Sequence, residues 1–169
     1  MNPPIPRRAF LQGSLAAVGA AALGRVTGAA ETTAAKPGFR LFACDWTLQK
    51  RCNPEAFEVA ARIGLDGVQV DFGLPKEGES TLPLFSEAQQ DRIVAAAEKH
   101  RVVIASLAMG ALNNSPYKSD AATEQWVLDS VKVMRRLKQK VTLLAFFAKG
   151  DLVGDEAGVT EVMRRLKML

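Results

Sequence analysis

Gly64-Leu65-Asp66-Gly67-Val68-Gln69-Val70-Asp71-Phe72-Gly73 decides the fold of this chain. Gly64 is a natural helix stop, and an alternating strand starts almost at once behind it. Val68, Val70 and Phe72 share one face of that strand; Gln69 and Asp71 share the other. A helix that runs so directly into a strand is the joint of a βα repeat. The apolar face is expected to meet helices, and the Gln69/Asp71 face to look into the lumen if a barrel closes.

The same joint recurs along the chain. Strands are predicted at 39–44, 67–71, 102–108 and 141–147, each followed by a helical pattern. In the first unit Asn53 reads as an N-cap with Pro54 at the first helical position, and Phe57, Ala60, Ala61 and Ile63 form the stripe. Ser86-Glu87-Ala88-Gln89 has the form of a capping box and opens the second helix, which ends near Lys99-His100. A third helix is predicted over 120–138 and a fourth over 156–167, with Val159, Val162, Met163 and Leu166 on one face. This rhythm is that of an α/β fold with a parallel sheet. A closed (β/α)8 barrel needs eight such units and roughly 200 residues or more. Four units over 39–169 make the N-terminal half of a (β/α)8 TIM barrel.

Residues 1–30 read as a targeting segment and 31–38 as a linker. Arg7 and Arg8 precede an uncharged apolar run from Leu11 to Leu23, too short to span a bilayer. Arg25 follows, then the small residues Gly28-Ala29-Ala30. Arg7-Arg8-Ala9-Phe10-Leu11 resembles a bacterial twin-arginine (Tat) signal, with Pro6 and Gln12 departing from its usual flanks. An ordinary secretory signal or an uncleaved amphipathic anchor is the alternative. The resemblance implies the Tat export machinery as a partner, a periplasmic or exported product, and no stable membrane span after cleavage.

Without residues 1–30 the chain loses Arg7, Arg8 and Arg25 and no acid, so 22 basic against 18 acidic residues become 19 against 18. The positive charge is largely a property of the targeting segment. A nucleic-acid partner, which would need a clustered basic stripe, is therefore not expected. Cys44 and Cys52 read as a buried strand thiol and a separate loop thiol rather than a disulfide. Two cysteines and one histidine are a poor set for zinc. No dinucleotide fingerprint, P-loop or nucleophile elbow occurs.

Three stretches carry a family resemblance. Gly64 to Val70, the run Lys99-His100-Arg101-Val102-Val103-Ile104-Ala105-Ser106-Leu107, and the exit loop Phe146-Phe147-Ala148-Lys149-Gly150-Asp151 resemble the sugar phosphate isomerases and epimerases with a xylose-isomerase-like barrel. The resemblance covers roughly residues 39–167. It implies metal-dependent isomerisation or epimerisation of a sugar or sugar-like hydroxy-carbonyl compound. A base would remove a proton next to the carbonyl while a divalent metal stabilises the enediolate. Such metals are held from the later strands, so the ligands are not expected in this chain and turnover by it alone is expected to be little or none. Gln69 stands where many members carry Glu.

Barrel sites open at the C-terminal ends of the strands. Four residues there are candidates for substrate binding. Asp71 ends the second strand and either holds a substrate hydroxyl or caps a loop amide. Trp46, beside Asp45 after the first strand, stacks on a sugar face or simply packs. Asn113, after the third, offers an amide to hydroxyls or serves a turn. Lys149, after the fourth, attracts an oxyanion or is a solvated loop lysine. His100 lies on the opposite rim, at a helix C-terminus where a cation is favoured, and reads as structural.

Two other readings remain open on sequence: a complete non-catalytic periplasmic α/β binding domain with its ligand at a switch in strand order, or an inactive gene fragment. A half barrel would leave its first and fourth strands as apolar edges, so it is expected to form a homo-oligomer, recruit another half, or be poorly soluble.

Overall fold

The computed structural model describes residues 38–169. The targeting segment expected over 1–30, and the linker apart from Gly38, lie outside the described residues. Among the described residues four strands alternate with four helices: β1 (Phe42–Cys44), α1 (Glu55–Ile63), β2 (Gly67–Asp71), α2 (Glu87–His100), β3 (Val103–Met109), α3 (Ala122–Arg136), β4 (Thr142–Leu144) and α4 (Glu156–Leu166). All strands are parallel, in the order β1-β2-β3-β4. This is an α/β fold arranged as half of a (β/α)8 barrel. Because the order never reverses, the sheet has no switch point among the described residues.

Register explains the two faces. Phe42, Gly67 and Val103 stand side by side, then Cys44, Gln69 and Ser106, then Asp71, Ala108 and Leu143. These rows form the lumen face, where Gln69 Nε2 donates to Ser106 Oγ at 2.9 Å. A register shift between Val68 and Gln69 lets β3 place Ser106 rather than Ala105 opposite Gln69. On the other face Val68, Val70, Phe72, Leu107 and Met109 are fully buried beneath the helices, together with Phe57 of α1 and Ile93 of α2. Each such side chain contributes roughly 1.5–3 kcal/mol of burial. Gly67 is required by closeness: a Cβ there would sit 2.7 Å from Val103 Cγ2 and 2.8 Å from its carbonyl oxygen.

Several expected boundaries move. β1 and β4 are shorter than predicted because they are edges: β1 pairs only where β2 runs beside it, and β4 only against Leu107–Met109. α1 begins at Glu55, with Asn53 Oδ1 accepting from the Glu55 N–H at 2.9 Å, and Gly64 closes it in the left-handed conformation, φ +79°. The capping box of α2 does not form. Gln89, its expected second half, is buried and donates instead to the Cys52 carbonyl at 2.6 Å. α3 starts at Ala122, after Asp120 accepts from the Ala122 N–H. On α4, Val162 is buried but Val159 and Met163 are exposed. No described helix is long and apolar enough to cross a membrane.

Among the described residues one buried side-chain group is left without a partner. Thr142 Oγ1 is shielded from solvent and makes no hydrogen bond, and its register neighbours on the helix side are Val70 and Leu107. An unpaired buried hydroxyl is costly, so Thr142→Val is expected to stabilise the fold by about 1 kcal/mol. A rise in the urea midpoint at constant slope would show it; an unchanged or lower midpoint would mean the hydroxyl is satisfied.

Candidate functional site

The C-terminal ends of β1 and β2 are joined by two buried carboxylates. β1 gives way to Asp45, which is 1% exposed, and its Oδ2 accepts from two amides: Cys52 N–H at 2.8 Å and Asp71 N–H at 2.9 Å. Asp71, fully buried, divides its oxygens. Oδ1 accepts from Gly73 N–H and Oδ2 from Gly110 N–H, both at 2.8 Å. Asp45 thus holds the loop after β1 to the end of β2, and Asp71 holds the end of β2 to the turn after β3. The loop needs that hold: Gln49 and Cys52 both adopt positive φ, which costs non-glycine residues energy.

Burial is the main influence on both carboxyls. It pushes Asp45 up to about 6, against the lowering effect of the two amides, and the nearby Asp71 charge adds to the rise. Burial also raises Asp71 above the usual carboxylate range, while the Gly110 and Gly73 amides and the Arg51 charge pull the other way. Burial likewise pushes the Cys44 and Cys52 thiols up to about 12. Both cysteines are free. Held as neutral thiols, they are not nucleophiles at ordinary pH.

Trp46 lies over this network. The Arg51 guanidinium carbon is 5.6 Å from its ring centre, and Arg51 Nε is 3.9 Å from Asp71 Oδ1. Gly110 makes room for the indole: a Cβ on it would stand 3.3 Å from Trp46 Cζ3 and 2.6 Å from Asp71 Oδ2. The structure therefore brings Trp46 and Asp71 together. Asn113 and Lys149 form a separate pair of neighbours on the same rim. Asn113 ends the 3-10 turn Gly110–Asn113, and its Oδ1 accepts from Phe147 N–H at 3.0 Å, tying the exits of β3 and β4. Lys149 is exposed in the 3-10 turn Ala148–Gly150. His100 ends α2, at the other end of β3 from this rim.

Sequence reasoning placed Asp45 on the rim but gave it no role, and it passed over Arg51 and Gly110. A signal for Asp45 was present: two acids stand at the ends of adjacent strands. Nothing in the spacing pointed to Gly110, which meets Asp71 from 39 residues away.

These donors do not suit a divalent metal. Three of the four carboxylate oxygens of Asp45 and Asp71 accept backbone amides, which are the wrong partners for a metal ligand. Among the described residues no three His, Cys, Asp or Glu side chains come together as a ligand set. What this rim can offer is a flat aromatic face, one guanidinium, one amide and one ammonium group around rigid backbone. No protein-family model matches the sequence, and no curated protein matches it.

Proposed function

We propose that this chain forms one wall of a sugar-binding barrel site of the kind used by the sugar isomerases and epimerases its loops resemble. The observation that carries the reading is the rim of β1 and β2, where Trp46 stands beside the Asp45/Asp71 network with the Arg51 guanidinium 5.6 Å from its ring centre, at the C-terminal end of parallel strands. An indole at such a rim suits the C–H face of a pyranose or an open-chain polyol. Arg51 donates to carbonyl or hydroxyl oxygens above it, and the Asn113 amide nitrogen and Lys149 reach for oxygens further along the rim. Asp71 acts indirectly, since both its oxygens are taken by amides. Three of the four Asp45 and Asp71 carboxylate oxygens already accept amides, so the role read for this wall is to bind the sugar rather than to supply a base or a metal ligand. The export reading rests on Arg7, Arg8, Phe10 and Leu11.

Tryptophan emission tests the proposal. Trp126 is a built-in reference, because it is buried and its indole N–H is fixed by the Ser80 carbonyl at 2.8 Å. Aldoses or ketoses are expected to change the emission saturably, with Kd on the order of millimolar. Trp46→Phe is expected to abolish the change, and proton NMR of the mixture is expected to show no interconversion of isomers. A response that never saturates, or one that survives Trp46→Phe, would sink the reading.

A further inference from the structure

The exposed large apolar side chains of this chain fall in a pattern. Phe39, Leu41, Phe42 and Ile63 belong to the first βα unit, and Val141, Leu143, Phe147, Val159 and Met163 to the last. In the two middle units the large apolar residues that stay exposed are Leu74 and Val103. α4 shows why this matters. Its charged side is tied to α3, where Arg165 Nε and Arg164 Nη2 lie 3.6 and 3.7 Å from Glu124. Val159 and Met163, four residues apart and 42% and 52% exposed, lie on its other flank, where a following helix would pack.

The strand edges match one another. On β1 the peptide groups of Leu41 and Asp45 turn towards β2, through Asp66 N–H to Leu41 O and Asp45 N–H to Gln69 O. The alternation of a parallel strand leaves the Phe42 peptide facing outward. On β4, Val141 O accepts from Leu107 N–H, so the peptides of Thr142 and Leu144 face outward. Each edge is three residues long, and the two run in the same direction.

We propose that these edges close on each other across two copies of the chain. β4 of one copy adds to β1 of the second, and α4 of one packs beside α1 of the second. A twofold axis along the barrel axis repeats the contact and keeps all eight strands parallel. The result is a closed eight-stranded barrel with no free edge. The side chains left open along the two seams and the lumen, from Leu143 at 37% to Phe39 at 98% exposed, amount to several hundred Å² of apolar surface on each copy, the scale of a standard specific interface of about 800 Å² per partner. The second copy also sets a second Trp46 rim across the lumen from the first, turning an open wall into an enclosed pocket. The inference stands on the edges and the apolar flanks, so it holds whether or not the rim takes a sugar.

Sedimentation velocity on the whole purified chain at micromolar concentration tests it, beside two variants: Val159→Glu with Met163→Glu on α4, and Leu143→Lys on β4. These side chains are already exposed in a single copy, so a folded monomer tolerates the changes, and far-UV circular dichroism is expected to be unchanged. The unaltered chain is expected at twice its own mass, and each variant is expected to weaken the dimer by roughly 100-fold. A monomeric unaltered chain, one that binds hydrophobic dye at its edges, would overturn the proposal and assign those edges to a different occupant. A higher oligomer, or a dimer indifferent to both variants, would overturn it as well.

Discussion

Asp45→Ala is expected to destabilise the fold by roughly 3–5 kcal/mol, enough to unfold much of the population of a domain with ordinary stability. The cause is the pair of amides that Oδ2 serves. Without it the Cys52 and Asp71 N–H groups are buried with no acceptor, at roughly 1–3 kcal/mol each. The loop after β1 also loses what holds Cys52 at φ +49°. Asp45→Asn separates hydrogen bonding from charge. Its amide oxygen accepts both N–H groups without the buried charge, so at pH 7 it is expected to be at least as stable as the parent. Urea unfolding of the three proteins decides the matter. An alanine variant as stable as the asparagine variant would show that the two amides find water instead.

The asparagine variant also exposes the sign of the pH dependence. Asp45 has its folded value raised from 3.8 to about 6. A raised value means that the folded state holds the proton more tightly than the unfolded chain. The carboxyl therefore favours folding below its unfolded value, and that contribution is lost as pH rises through about 6. Relative to Asp45→Asn, the parent should gain stability as pH falls from about 6 to about 4, by up to about 3 kcal/mol at ~1.4 kcal/mol per pH unit. Asp71 shifts in the same direction. Asp129, Asp155 and Glu161, lowered by hydrogen bonds from Lys132, Lys118 and Arg164 respectively, work in the opposite sense, and comparison with the variant cancels them. A difference that stays flat across that window would mean the two amides outweigh burial at Asp45.

The sequence carried the parts of this fold that are local. The Gly64 stop and the Val68/Val70/Phe72 alternation need only neighbouring residues, and both appear as read. Parallel order followed from the repeated joint. What depended on distant partners did not show. β1 and β4 end where their neighbours end, which no property of residues 39–41 or 145–147 reveals. The capping box at Ser86 failed because Gln89 found a carbonyl 37 positions away. The rim divides in the same manner. Strand ends located Trp46, Asp71, Asn113 and Lys149 at one end of the sheet. The choice between holding a ligand and capping an amide lay in contacts across loops. At Asp71 both oxygens went to amides, and at Asn113 the oxygen went to Phe147 N–H.

Gly110→Ala is the second change expected to act strongly, and it strikes the rim from the other side. A methyl at this position would lie 2.6 Å from Asp71 Oδ2 and 3.3 Å from the Trp46 ring. Neither neighbour can easily yield. Asp71 is fixed by the Gly73 amide and carries the end of β2, while Trp46 lies against Arg51. Moving the carboxylate away breaks the Gly110 N–H bond to it, a charge-assisted bond worth roughly 1.5–3 kcal/mol, and crowding costs roughly 1–3 kcal/mol more. Together these predict a loss of about 3–5 kcal/mol. Gly78→Ala is the control, since Gly78 has open space around it and a φ of +78°. It is expected to cost only the conformational strain of roughly 1–2 kcal/mol. Urea midpoints measure both losses, and near-UV circular dichroism reads the displacement of Trp46, which should accompany Gly110→Ala and be absent in Gly78→Ala. Equal losses for the two alanines, with no change in the Trp46 signal, would show that the rim has slack, and that Trp46 is not held in the fixed position on which sugar stacking depends.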